Sequence, residues 1–316
     1  MKNFNLKAKI KKLLKQHKYT ELYKLSYELK LDNDEIFVTI ASEQAAQKTN
    51  LEIQQALTKL LQENYPDQKV KILIHHHKTE VKKPKLVLVC SAKGGVGKST
   101  IAVNLALSLK EQKYKVGLVD ADIYGPSVNF LLGNQQIEPK IKDNLMQPLI
   151  AHGLQYNSMG ALMPEEQALI WRGPMISKAL SNLINNTAWS DLDYLIIDMP
   201  PGTGDIYITL LKNYDIHGAI MISSAQQISL LDVGRSVDML KKMQINILGI
   251  IENLSLLASK NVTKFAAKEE IPYLGKLSIH EDIARSADEN MPFILTKNKA
   301  QQELTLITKN LIKKWN

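Results

Sequence analysis

The 316-residue sequence predicts a doubly wound, mostly parallel α/β sheet preceded by a small α+β domain. Three observations carry that expectation. From residue 86 onward, short β-rich runs alternate with helical stretches, as in successive strand–helix–strand units. Leu195-Ile196-Ile197 and Gly218-Ala219-Ile220-Met221-Ile222 are apolar throughout, as strands covered on both faces must be. A glycine-rich loop stands between an apolar run and a helical one, where a phosphate meets a helix N-terminus in such sheets.

The elements follow in order. Leu6, Ile10, Leu13 and Leu14 recur at helical spacing, continued less regularly through Leu22, Tyr23 and Leu25, so the first 30 residues read as one amphipathic helix or two short ones. Residues 35–40 read as a strand, 43–63 as a helix and 69–74 as a second strand, which together make a small α+β domain over 1–78. His75 to Lys85 is polar and charged, with Pro84 just before the next apolar run, and the linker is set at 79–85. His75, His76 and His77 alternate sides along an extended chain and so do not converge on one metal. The larger domain spans 86–316, with strands at 86–91, 115–120, 154–158, 193–198, 218–223 and 246–251 and helices between them. In 301–316, Leu304, Ile307, Leu311, Ile312 and Trp315 share a helical face. Packing of that face on the domain is expected, in preference to contact with an anionic membrane.

Composition narrows compartment and partners. No apolar run approaches the roughly 20 residues a membrane helix needs. The single cysteine, Cys90, gives no disulfide framework, and the lysine-rich start lacks the apolar core of a secretion signal, so a cytoplasmic location is expected. The formal net charge is +8, from 40 basic and 32 acidic residues. Residues 1–85 hold 17 lysines and 10 acidic residues, a net of +7, which leaves the larger domain near neutral at +1. Only Arg172, Arg235 and Arg285 are arginines, so the N-terminal charge lacks the forked donors preferred for base readout. A solvated lysine-rich surface is expected there, with no nucleic-acid partner.

The chemistry is concentrated in Ala92-Lys93-Gly94-Gly95-Val96-Gly97-Lys98-Ser99-Thr100, set between the strand LVLVCS and a helix carrying Ile101, Val103, Leu105 and Leu107. A phosphate has to be met by several backbone N–H groups at once, which takes glycines to bend the chain and a helix N-terminus aimed at the charge. Ala92 stands where the general pattern has glycine; Gly94, Gly95 and Gly97 still allow the bend. The spacing assigns Lys98 to the β- and γ-phosphates of a nucleotide and the Ser99 hydroxyl to Mg²⁺. Two acidic motifs complete the set. Val119-Asp120-Ala121-Asp122-Ile123-Tyr124-Gly125-Pro126-Ser127 places a carboxylate pair at a strand's C-terminal end, where doubly wound sheets bind ligands. In DYLIIDMPPGTGD (193–205), Asp198 ends the strand in a Walker B arrangement. Asp120 and Asp198 are assigned to the metal's water shell and Asp122 to orienting the attacking water. Asp205 reads equally as part of a γ-phosphate-sensing turn or as the N-cap of a helix over 206–212.

Lys93, a second lysine within the loop, is the mark of the deviant P-loop NTPase class that includes MinD- and ParA-like ATPases. Taken with VDADIYGPS, WRGPM (171–175), DYLIIDMPPGTGD, SLLDV (229–233) and GIIENLS (249–255), it makes residues 84–296 resemble the Mrp/ApbC family of iron–sulfur cluster carrier ATPases. The resemblance implies Mg²⁺-dependent ATP hydrolysis by a homodimer, with Lys93 reaching the phosphates of the facing subunit. It also implies iron–sulfur scaffold or apo-protein partners, and a contact from Asn253 to the adenine. Residues 1–78 resemble a shortened, degenerate form of the small domain that often precedes the ATPase, without its acidic-proline loop or its cysteine, where this chain reads Ser42-Glu43-Gln44-Ala45. WRGPM reads as an arginine contact to phosphate or partner, or as a turn before a helix at 175–185.

The departure from that family concerns the cargo. Its C-x-x-C pair after the ENLS-like segment falls here on Ser259 and Val262. A cluster usually takes four thiolates, and two copies of this chain bring only two Cys90 residues, each expected inside a buried strand. An iron–sulfur cluster is thus expected from the family, while its ligands are not present in the chain. Two alternatives stand beside the carrier reading: a nucleotide-dependent interaction module that has lost cluster binding, and a positioning ATPase of the MinD/ParA kind.

Overall fold

The computed structural model describes residues 27–32, 35–42, most of 54–76, 83–134, 137–162, 173–256 and 260–315. The chain forms two compact units, residues 1–81 and 82–316. In the first, β1 (Tyr27–Asp32), β2 (Glu35–Ser42) and β3 (Lys69–His76) make a sheet in the order β1-β2-β3, antiparallel between β1 and β2 and parallel between β2 and β3. Parallel neighbours need a crossover, and the described residues within 54–63 are helical, with Leu57 and Leu61 fully buried.

Strand β1 corrects the helix expected through residue 30. Tyr27, Leu29 and Leu31 alternate with Glu28, Lys30 and Asp32, a period of two, and pairing with β2 satisfies the backbone that a helix would have satisfied internally. The rest of that expected helix, residues 1–26, lies outside the described residues, as does 43–53 of the second. Strand β3 runs past the expected residue 74 into His75 and His76, which pair with Ala41 and Ser42. His77 lies outside the described residues.

The second unit is an eight-stranded sheet, to which β4 (Lys85–Ser91), β5 (Val116–Asp120), β8 (Leu149–Ala151), β9 (Leu154–Ser158), β10 (Tyr194–Asp198), β11 (Ile216–Ser223), β12 (Ile247–Ser255) and β13 (Tyr273–Ser278) contribute. Short β6 (Ile141–Lys142) and β7 (Leu145–Met146) pair separately. The order is β13-β12-β11-β4-β10-β5-β9-β8, parallel throughout except that edge strand β8 runs antiparallel to β9. This is the mostly parallel, doubly wound sheet expected. Strands β8 and β13 were not. Strand β8 is only three residues long and β13 is half polar, so neither shows the apolar run of a central strand.

The helices are α1 (Lys98–Glu111), α2 (Val128–Leu131), α3 (Gly173–Asn185), α4 (Asp205–Asn213), α5 (Gln227–Lys242), α6 (Asn261–Lys268), α7 (Glu281–Asp288) and α8 (Lys299–Trp315). Successive strand side chains point to opposite faces, so a sheet covered twice has two cores. Val87, Val89, Leu118, Ile196, Ile220 and Ile222 meet α1 and α8 on one side. Leu88, Cys90, Val119, Ile197 and Met221 meet α3, α4, α5 and α6 on the other. Helix α8 packs as expected, burying Leu304, Ile307, Leu311 and Trp315, with the Trp315 ring stacked on Tyr194 at 3.9 Å between centroids. No helix among the described residues is long and apolar enough to cross a membrane. Trp171 and Arg172 lie outside the described residues; Gly173 and Pro174 open α3.

Candidate active site

The fold brings the predicted residues to the C-terminal edge of the sheet around its central strand, β4. That strand ends at Ser91, the loop runs from Ala92 to Gly97, and α1 starts at Lys98. Gly95 and Gly97 take φ of +77° and +79°, the left-handed region that a residue with a Cβ rarely adopts. The turn is tied internally: Ser91 Oγ donates to the Lys93 carbonyl at 2.9 Å and Ile101 N–H to the Gly97 carbonyl at 2.9 Å. Ala92, Gly94, Ser99 and Thr100 complete the loop and the first turn of α1, and the Thr100 carbonyl accepts the Asn104 amide at 2.8 Å. Val96 enters the first core, and Ala92, half-buried, packs against the second.

Lys98 is only 6% exposed, and its ammonium donates to Asp198 Oδ1 at 2.6 Å and to Ser99 Oγ at 3.2 Å, with Asp122 Oδ2 at 3.9 Å. Asp198 ends β10, between the ends of β4 and β5, and is fully buried. Asp120 pairs with it in register from β5. The sequence placed Asp120 in a metal's water shell; the structure engages both of its oxygens with protein donors. Oδ1 accepts the Asp122 N–H at 3.0 Å, and Oδ2 accepts Val128 N–H and Ser158 Oγ, each at 3.1 Å. Asp120 therefore fixes the loop from Asp122 to α2. Asp122 Oδ1 in turn accepts the N–H groups of Tyr124 and Gly125 at 3.3 and 3.2 Å.

Three carboxylates around one ammonium leave an excess of negative charge in a buried place. Burial, and then the neighbouring Asp198, push Asp120 up to about 7, and burial holds Asp198 above the usual carboxylate range although Lys98 pulls it down. Asp198 Oδ2 is buried with no hydrogen-bond partner. An orphaned carboxylate oxygen beside a serine hydroxyl, in a site short of positive charge, suits a divalent cation bound partly through water.

The turn after Asp198 is docked on the strand before the loop, with Met199 N–H on the Val89 carbonyl at 3.1 Å and Gly202 N–H on the Ser91 carbonyl at 3.0 Å. Tyr207 reaches back from α4 to the Pro200 carbonyl at 3.1 Å. Helix α4 begins at Asp205 with Gly204 in the cap position, one residue before the N-cap expected at Asp205. Two contacts had no signature in the sequence. Lys93, nearly half exposed, pairs with Asp232 of α5 at 2.8 Å and holds that carboxyl below its usual range. Asn253, at the end of β12, bonds to the carbonyl of Val96 at 2.8 Å. Cys90 sits in β4, buried, and burial pushes its thiol up to about 12.

Comparison with known proteins agrees with this geometry. An "Iron-sulfur cluster carrier protein" of Escherichia coli K12 is 40% identical over a stretch covering 72% of this chain and 64% of that protein. One of the same name from Rickettsia felis is 45% identical, covering 66% of this chain and 65% of that protein. The match thus spans just under two thirds of these relatives. A nucleotide-binding protein of Archaeoglobus fulgidus, solved in complex with ADP, aligns with a TM-score of 0.56 at 28% identity, over 65% of this chain and 86% of that one. The Pyrococcus furiosus cell division ATPase MinD shares the fold at a TM-score of 0.59 and 19% identity, over 72% of this chain and 98% of that one. The family model described as ParA, NUBPL iron-transfer P-loop NTPase, matches residues 81–314. With its glycine loop, its buried lysine and its strand-end aspartates in place, the chain belongs to that iron-transfer P-loop NTPase family.

Proposed function

We propose that this chain is a Mg²⁺-dependent ATPase of iron–sulfur cluster assembly, working in the cytoplasm as a homodimer that nucleotide switches between states. The observation that carries the reading is the Lys98 ammonium, held between Ser99 Oγ and Asp198 Oδ1 at the foot of the glycine loop. ATP would lie along Ala92–Thr100, with the loop's N–H groups and the α1 N-terminus toward its phosphates. Lys98 would exchange Asp198 for the β- and γ-phosphates. Ser99, and Asp198 through water, would hold Mg²⁺, whose charge, when bound, offsets that of the phosphates. Asp120 adds charge and holds the loop that carries Asp122; Asp122 orients the attacking water. Lys93 would leave Asp232 for the phosphates of the facing subunit. Positioning and charge are most of what phosphoryl transfer needs, so no covalent nucleophile is invoked. Residues 1–78 would form the appended α+β domain, joined by the linker at 79–85, and the partners would be iron–sulfur scaffolds or apo-proteins. The buried apolar face of α8 supports a reading without membrane contact.

A cluster as cargo does not fit the residues present. Cys90 is the sequence's single cysteine, buried and far from thiolate chemistry at neutral pH. Among the described residues no group of three or more His, Cys, Asp or Glu is arranged to hold a metal by itself. That observation favours a second reading, a nucleotide-dependent interaction module in the same assembly process that carries no cluster of its own. Lys98→Ala tests the common core of both: ATP turnover by the variant is expected to fall to background, and undiminished turnover would refute the site.

A further inference from the structure

Strand β12 ends in Glu252-Asn253-Leu254-Ser255. Asn253 is 4% exposed, and its Nδ2 donates to the carbonyl of Val96, inside the glycine loop, at 2.8 Å. The same amide covers Gly97: a Cβ on that residue would collide with Asn253 Nδ2. Gly97 is the last residue before α1, and its carbonyl takes the helix's Ile101 N–H at 2.9 Å. One side chain from a distant strand thus fixes the peptide at which loop becomes helix, where the N–H groups that meet a phosphate are set in direction.

Asn253 is itself held from behind. The neighbouring Glu252 is buried, and its two oxygens accept Ser255 Oγ at 2.8 Å and Tyr273 OH at 3.2 Å. Glu252 is also in register with Ser223 of β11. Leu254, the next residue, takes φ of +55°, an unfavourable backbone for a leucine that ends the regular strand just beyond the amide. The amide is therefore presented by a rigid strand end, and one of its two N–H donors is used on a main-chain carbonyl.

We infer that Asn253 is a positioning residue of the phosphate loop: it holds Val96 and Gly97 in the conformation that receives a triphosphate, whatever base the triphosphate carries. The inference rests on the nucleotide-binding reading above and differs from a contact with adenine, which would leave the loop's own geometry to the glycines.

The two roles separate when the base is removed. Calorimetric titration of ATP and of inorganic tripolyphosphate into the full chain gives the wild-type affinities first; a wild type that binds neither would overturn the nucleotide-binding reading, and this inference with it. With wild-type binding in hand, Asn253→Leu keeps the size and removes the donor. The loss of one buried hydrogen bond to the loop predicts that both affinities fall by the same factor, about tenfold, with the ATP-to-tripolyphosphate ratio unchanged. A variant that weakens ATP alone and leaves tripolyphosphate at its wild-type affinity would overturn the inference. Asn253→Ala, which adds no bulk, gives the same readout should the leucine variant fail to fold.

Discussion

At Gly97 two requirements coincide: a left-handed backbone, and no room for a Cβ against Asn253. An alanine there meets about 1 kcal/mol of backbone strain and a side-chain collision that displaces Asn253 or the loop. Gly97→Ala is therefore expected to lower ATP affinity at least about tenfold while the chain still folds, measured by titration beside a thermal melt; wild-type affinity would contradict the described turn. At this scale the sequence was most legible where chemistry demands one residue type. Gly95, Gly97, Lys98, Ser99 and Asp198 were expected together because a phosphate and its metal tolerate few substitutes at those spacings, and the structure brings Lys98, Ser99 and Asp198 within hydrogen-bond reach beside the two left-handed glycines. The bonds from Asn253 to Val96 and from Lys93 to Asp232 were not legible, since a contact between residues distant in the chain leaves no periodicity. Asp120 was legible as a carboxylate at the right strand end, but only the structure shows both of its oxygens engaged by Asp122, Val128 and Ser158.

Among the elements, the central strands announced themselves because burial on two faces requires unbroken apolar runs. Strands β1, β8 and β13 did not. Each gains its place from a neighbour, β2, β9 and β12 respectively, and a strand defined by its partner is weakly written in its own residues. Helix α8 was legible from its apolar stripe, and the structure adds what the stripe meets: Leu304, Ile307 and Leu311 against the α1 side of the sheet, and a buried bond from Thr308 Oγ1 to Ser108 Oγ at 2.9 Å. Leu304 is fully buried in that layer. Leu304→Ala should cost about 2–5 kcal/mol, the range for truncating a core leucine, read as a lower urea midpoint at unchanged slope. A loss below about 0.5 kcal/mol, the range of surface changes, would show that α8 is not part of the core.

Over the whole molecule, the fold was readable from alternating strand and helix patterns and the family from short motifs, of which the glycine loop, the strand ends at Asp120 and Asp198 and the strand end at Asn253 lie at the C-terminal edge of one sheet. The single cysteine is a matter of counting, and the structure adds that Cys90 is enclosed in the sheet's second core. Anaerobic incubation of the purified chain with iron and sulfide is accordingly expected to leave no stable, stoichiometric cluster in the visible spectrum. A cluster that survives desalting at one per dimer would return the chain to the carriers proper and remove the second reading. The charge, +8 in all, says little about the nucleotide, since nearly all of it belongs to the first 85 residues.

The ion pair of Lys98 with Asp198 also bears on how a ligand would enter. The ammonium is already stripped of water and already facing a carboxylate, so a phosphate does not add a new attraction but trades one anion for another at the same cation. Net affinity from that lysine is then small, because what it gains from phosphate it forfeits from aspartate. On the proposed reading its worth would lie in the trade itself: the displaced carboxylate would face a site short of positive charge, so that phosphate and metal would favour one another's binding.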